Sequence, residues 1–184
     1  EVVAVVKKDL TNEFISYANC NNLEYNITLK DGLYNLTLKG KAAHAMEPDK
    51  GVNAGTHMCN FLKDYSNNLM VKYVAEKHHL SHVCEKLGLD YCDYEMGPIT
   101  CNIGIMNINK QNTRVTLDLR YPVRYDTDNF NSELEKIISL YEVGLSLLIS
   151  TSNSNLILFF LASSKISLAF ISNLIFSSLY GLIA

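Results

Sequence analysis

The chain has 184 residues, room for one ordinary domain or a domain with a tail, and 48% hydrophobic against 19% charged residues excludes wholesale disorder. Sixteen Lys and Arg against nineteen Asp and Glu give a net charge of -3, which excludes the broad basic footprint of a nucleic-acid binder. No G-x-G-x-x-G and no G-x-x-x-x-G-K-[ST] occurs, so nothing points to a dinucleotide or P-loop site.

Taken in chain order, Val2, Val6, Leu10 and Phe14 recur at helical spacing and predict a helix from Val2 to about Asn21. Leu23, Tyr25, Ile27 and Leu29 then alternate with polar residues, and Leu36 and Leu38 do the same after Asp31-Gly32; this predicts a hairpin. Small residues and Pro48 mark a loop over residues 40–48. Two helices are expected next, from about Val52 to Tyr65 and from about Val71 to Leu87, the second stopped by Gly88. Ile99 to Ile108 and Val115 to Leu119 read as two strands joined by a turn at Asn109 to Asn112. Asp128 or Asn131 is expected to cap a last helix bearing Leu134, Ile137, Ile138 and Tyr141, and Val143 to Ile149 suits a final strand. Hairpin strands separated by helices give an α+β fold with an antiparallel sheet.

The five cysteines, Cys20, Cys59, Cys84, Cys92 and Cys101, are odd in number and contain no C-x-x-C. They read as free thiols of a reducing compartment, so a cytoplasmic location is expected, rather than as a disulfide framework or zinc knuckle. His78 and His82 stand four apart on a predicted helix, a spacing able to share one metal. With no Glu in zincin position they are read as an ordinary helix face, as is His57.

One stretch carries a family likeness. Gly40, His44, Ala45, Pro48, Gly51, Asn53 and Ala54 fit the string G-x-x-x-H-A-x-x-P-x-x-G-x-N-A. Downstream, Asp118-Leu119-Arg120-Tyr121-Pro122 looks like N-x-R-Y-P with Asp in place of Asn. Together they resemble the lid domain of the di-zinc aminoacylase and carboxypeptidase G superfamily, above all dipeptidases of the peptidase V (Xaa-His dipeptidase, carnosinase-like) type. The likeness covers roughly residues 1–142.

That resemblance implies a ferredoxin-like sandwich with helices on one face of the sheet, working beside a catalytic domain that holds two zinc ions. It implies that His44 stabilises the oxyanion of a tetrahedral intermediate and that Arg120 grips the terminal carboxylate of a dipeptide substrate. Asn53 joins Arg120 as a substrate-binding position, and Arg124 ranks behind Arg120. An imidazole donor aimed at developing charge favours the transition state over the ground state, and a guanidinium fixes a carboxylate by two parallel bonds. Gly51 is expected to supply unusual backbone angles.

The family's H-x-D pair, Glu-Glu pair and distant His are missing, so the chain is expected to hold no metal of its own and to be inactive alone. It reads as a piece of a longer protein without a signal peptide, with residues 1–149 as an N-terminally truncated lid domain. The alternative is a non-catalytic binding or dimerisation module of the same fold.

Residues 150–184 form an apolar tail rich in Ser, Leu and Ile, with Lys165 as the only charge after Glu142. Three origins compete: translation in a wrong reading frame, a membrane anchor, or a buried helical pair. The abrupt change of composition favours the first, and the uncharged run from Ile166 to Ala184, diluted by serines, makes a poor anchor.

Overall fold

The computed structural model describes residues 1–44, 47–109, 113–141, 145–146 and 155–162, the last two stretches as backbone only. The elements, in order, are β1 (Val2–Val6), α1 (Thr11–Cys20), β2 (Tyr25–Lys30), β3 (Leu33–Leu38), α2 (Ala54–Leu62), α3 (Leu69–Lys77), β4 (Cys92–Asp93), β5 (Gly97–Pro98), β6 (Thr100–Ile108), β7 (Thr113–Arg120), α4 (Thr127–Ser139), β8 (Leu145–Ser146) and β9 (Asn155–Ala162). Every strand pairing is antiparallel. The α+β plan expected from the sequence is therefore present, with its strands divided among a three-stranded sheet, β1-β3-β2, a two-stranded ribbon, β4-β5, and a four-stranded sheet, β6-β7-β9-β8.

The first element departs from the helix predicted at Val2. Residues 2–6 are a strand paired along β3, from Val2 opposite Leu38 to Val6 opposite Tyr34. Four valines in five residues are stiff at χ1 and suit a pleated surface, and the cross-strand partners outweigh the helical spacing of Val2, Val6 and Leu10. The helix starts only after Asp9, whose Oδ1 accepts the Thr11 N–H at 3.0 Å. The Thr11 hydroxyl first, then this backbone N–H, hold the Asp9 carboxyl below its ordinary range.

The second predicted helix is also shorter. α3 ends at Lys77; the chain then turns through Leu80 and Cys84, both at positive φ, into a single 3-10 turn at Glu85–Leu87. His78 and His82 therefore share no helical face. The last helix starts a little before its predicted caps: Asp126 accepts the Asn129 N–H at 2.9 Å and closes the first turn of α4. Most of the Asn109 to Asn112 turn lies outside the described residues, and of Val143 to Ile149 only β8 is described.

Two apolar clusters form the core. Leu10, Phe14, Ala18, Leu36 and Leu38 pack under the first sheet with Met58 and Phe61 of α2. Ile99, Cys101, Ile103, Val115, Leu117 and Leu119 pack under the second sheet with residues of α3 and with Phe130, Leu134 and Ile138 of α4. α2 serves both, because Cys59 on its other side belongs to the second cluster. A fully buried Leu or Phe contributes about 1.5–3 kcal/mol, so each half has an interior of its own.

Within the stretch expected as a tail, the backbone of β9 lies between β7 and β8, pairing from Thr113 opposite Ala162 to Arg120 opposite Asn155. The expected boundary at 149/150 thus falls between two strands that pair with each other. The run from Ile166 to Ala184, weighed as a membrane span, lies outside the described residues, as does all but β9 of the 150–184 tail weighed as a helical pair. Among those described, no helix is long and apolar enough to cross a membrane. All five cysteines are free thiols.

Candidate functional site

β3 ends at Leu38, and the backbone then makes a loop that returns on itself. Lys41 and Val52 close its base with reciprocal hydrogen bonds, Lys41 N–H to Val52 O at 3.0 Å and Val52 N–H to Lys41 O at 2.9 Å. This closure explains the two glycines of the motif. A Cβ on Gly40 would stand 2.3 Å from Val52 O, and one on Gly51 would stand 2.8 Å from Lys41 O and 2.9 Å from the Ala43 Cβ. Gly51 itself is extended, with φ -102° and ψ -176°. Close approach of two backbone segments, and not the unusual angle expected from the sequence, is what requires glycine there.

Asn53 joins this loop to the rest of the molecule. It N-caps α2, its Oδ1 accepting the Thr56 N–H at 3.3 Å. Its amide nitrogen donates to Asn102 Oδ1 at 3.1 Å and to Ile103 O at 2.9 Å, both on β6. One side chain therefore starts the helix and pins the loop to the second sheet.

His44 stands exposed on the loop, beside an open cleft of about 430 Å³. Asn53 lines the same cleft, as do Lys41, Asn102, Gly104 and Met106. Arg120 is not among its lining residues. It stands at the end of β7, on the sheet face opposite to the buried Leu117 and Leu119. Cross-strand register sets Asn102 opposite Asp118 and Thr100 opposite Arg120, so these four positions share one face. Arg120 Nε lies 3.3 Å from Asp118 Oδ1, with the two side chains 34% and 27% exposed. A polar row thus runs from the cleft, through Asn53, Asn102 and Asp118, to Arg120. Arg124 is committed elsewhere, to Asp93 at 3.7 Å and Glu95 at 3.2 Å beside the β4–β5 turn.

Three other histidines, His57, His78 and His79, are buried. His57, on α2, is buried; its Nδ1 meets the Tyr17 hydroxyl at 3.2 Å, and burial lowers its pKa. Asn60 donates to that hydroxyl at 3.1 Å, which leaves the tyrosine proton for His57. His78 Nε2 meets the Tyr73 hydroxyl at 2.9 Å, and burial pushes its pKa down to about 3. The His79 ring stands edge-on to His57 with centroids 4.5 Å apart; burial first, then the His57, Lys86 and Lys63 charges, push it down to about 4. These rings are packing groups of the interior. Among the described residues no group of three or more His, Cys, Asp or Glu could hold a metal ion. The described residues therefore do not fit the zinc site that the resemblance implies for the complete enzymes.

Sequence reasoning found the loop but missed Asn102 and the use of Asp118. Their signal was the alternation of Thr100 and Asn102 with buried Cys101 and Ile103. The register shift between Ile103 and Ile105 interrupts that alternation.

Residues 32–142 match the model of the M20 peptidase dimerisation domain. The chain belongs to that family. A protein of Staphylococcus haemolyticus named "Putative dipeptidase" is 33% identical over 144 residues, which is 76% of this chain and 31% of the relative. A Staphylococcus epidermidis protein of the same name is 33% identical over 152 residues, again 76% of this chain and 32% of the relative. One from Staphylococcus aureus is 30% identical over 148 residues, covering 74% of this chain and 32% of its own length. The chain spans about a third of the length of the curated relatives it matches, each of which is named a putative dipeptidase.

Proposed function

We propose that this M20 domain works as the lid of a dipeptidase, closing over a dipeptide held on a catalytic domain supplied by the rest of the parent enzyme. The observation that carries this reading is the exposed imidazole of His44 at an open cleft, on a loop whose base is locked by the Lys41–Val52 pair and by Asn53. A loop fixed at both feet presents its side chains with little conformational cost on binding, which is what preorganised stabilisation needs.

In this reading His44 donates a ring N–H to the scissile carbonyl oxygen as that oxygen gains charge in becoming tetrahedral. A single such donor is worth roughly 3–4 kcal/mol in the transition state. Arg120 binds the terminal carboxylate through its guanidinium fork. Asn53 serves the substrate by holding the cleft wall, since its amide hydrogens go to Asn102 and Ile103. Zinc and the water it activates belong to the catalytic domain of the complete enzyme, and the tasks given to this chain's residues are binding and orientation. The free thiols suit a reducing, cytoplasmic setting.

The test is a titration of the 184-residue chain with a phosphinic dipeptide analogue, whose tetrahedral oxyanion mimics the intermediate, followed by amide NMR. Shifts are expected around His44, Asn53 and Arg120, and His44→Ala is expected to weaken binding about tenfold or more, the scale of one hydrogen bond to a charged group. Equal binding by the variant and the unaltered chain overturns the role of His44.

A second reading, a non-catalytic association module, is favoured by one observation. β1 and β6 each end a sheet, and a groove of about 750 Å³ lies between them over Met58, Cys59 and Leu62. Concentration-dependent dimerisation in light scattering, with no binding of the analogue, would select it.

A further inference from the structure

We propose that Asn102 contacts the bound dipeptide, donating its side-chain N–H groups to an acceptor oxygen of the ligand in the cleft. This rests on the reading that the cleft beside His44 takes that ligand.

Two backbone groups fix the polarity of two side-chain amides. The Thr56 N–H can only donate, so the atom of Asn53 that meets it at 3.3 Å is the oxygen. Ile103 O can only accept, so the atom of Asn53 that stands 2.9 Å from it is the nitrogen. The same nitrogen meets the Asn102 side chain at 3.1 Å, and Asn102 must therefore turn its oxygen towards Asn53. Its NH2 group is left on the side away from Asn53. Among the described residues no acceptor takes these two N–H donors, Asp118 opposite Asn102 on β7 included.

The group is also placed for a ligand. Asn102 is half-buried and borders the same cleft as His44 and Asn53. Its strand neighbours Cys101 and Ile103 are buried in the core, so the amide stands on a fixed backbone and is held by Asn53 besides. A donor oriented in advance gives up little freedom when an acceptor arrives. Gly104 adds a second observation. It lines the cleft too, and a Cβ built on it would meet nothing within 4 Å. No packing among the described residues requires glycine there, and its bare backbone leaves space beside Asn102 for a ligand.

The experiment titrates the full chain and two variants with the phosphinic dipeptide analogue, followed by amide NMR. Asn102→Asp keeps the oxygen that accepts from Asn53 and loses both donors. Asn102→Leu loses the donors without adding charge. Both are expected to weaken the analogue about tenfold or more, the scale of one hydrogen bond to a charged group. With Asn102→Asp the urea midpoint and the Asn53 amide signals are expected to stay in place, a combination that a merely structural role for Asn102 does not produce. A loss of binding confined to one variant, or seen in neither, overturns the contact; if His44→Ala still weakens the analogue, the cleft reading stands without it. If the unaltered chain does not bind the analogue saturably, the cleft reading falls and this inference with it. A second analogue without the terminal carboxylate finds the oxygen. A penalty that persists puts the donors on the phosphinate, one that vanishes puts them on the carboxylate, and either result supports the contact.

Discussion

The molecule holds histidine in two contrasting settings. His44 stands in solvent on a loop between β3 and α2, while His57, His78 and His79 are buried between α2, α3 and the sheets. In the sequence the second group is the more conspicuous, because His78 and His79 are adjacent and the half-buried His82 follows them. Burial makes it chemically quiet: the rings are held neutral and serve tyrosine hydroxyls and one another. The exposed ring stands on a locked backbone beside an open cleft, which is the placement its proposed role needs. Site chemistry follows from placement more than from the density of reactive residue types.

Mutation is the strongest way to break this contrast. His78→Ala removes a fully packed ring and its bond with the Tyr73 hydroxyl, and it is expected to cost about 2–4 kcal/mol in urea unfolding. A loss below about 1 kcal/mol would show that the buried ring carries little.

Acid probes the same group without mutation. The folded-state pKa of His78 lies below its unfolded value, at about 3, so the unfolded chain takes up the proton first. Its contribution is fully present above about pH 6.5 and fades as pH falls. Between pH 7 and pH 5 the loss is about 2 kcal/mol from this residue, with His57 and His79 acting in the same direction. Denaturation midpoints that stay level over that interval would contradict the burial.

Asn53→Ala tests the link between cleft and core. It deletes the cap of α2 and two bonds to β6, with an expected cost of about 1–2 kcal/mol. Exchange-broadened or shifted amide signals at residues 41–44 should accompany it. Unmoved loop signals would show that the Lys41–Val52 closure holds the loop by itself.

The smallest expected effect completes the comparison. His44→Ala should leave stability within about 0.5 kcal/mol, because the side chain is exposed. A large loss would make His44 a structural residue and undo its proposed role.

The same contrast shows what a one-dimensional reading could reach. The β2–β3 hairpin, the loop and the β6–β7 strands were legible because alternation, Asp31-Gly32 and the glycine-proline string report local geometry. β1 was misread because Val2 and Val6 keep helical spacing with Leu10 and Phe14, while the strand that pairs with residues 2–6 lies some thirty residues away. The end of α3 at Lys77 was hidden because Leu80, Val83 and Leu87 keep a helical rhythm through a turn with positive φ. Of the cleft, His44 and Asn53 were visible in the motif; Asn102 entered only through its hydrogen bond from the N-cap of α2, Asn53. The place of Gly51 was legible, but its reason was not, since nothing in one dimension reports that Lys41 passes 2.8 Å from where its side chain would begin.

One helix ties these observations together. α2 lends Met58 and Phe61 to one interior and Cys59 to the other, and it begins next to the residue that anchors the His44 loop. It therefore acts as a shared axle: prising the two sheets apart would twist the footing of the cleft before either interior melted, so mechanical loosening at the seam should silence ligand capture while most of the hairpin and helix spectrum survives.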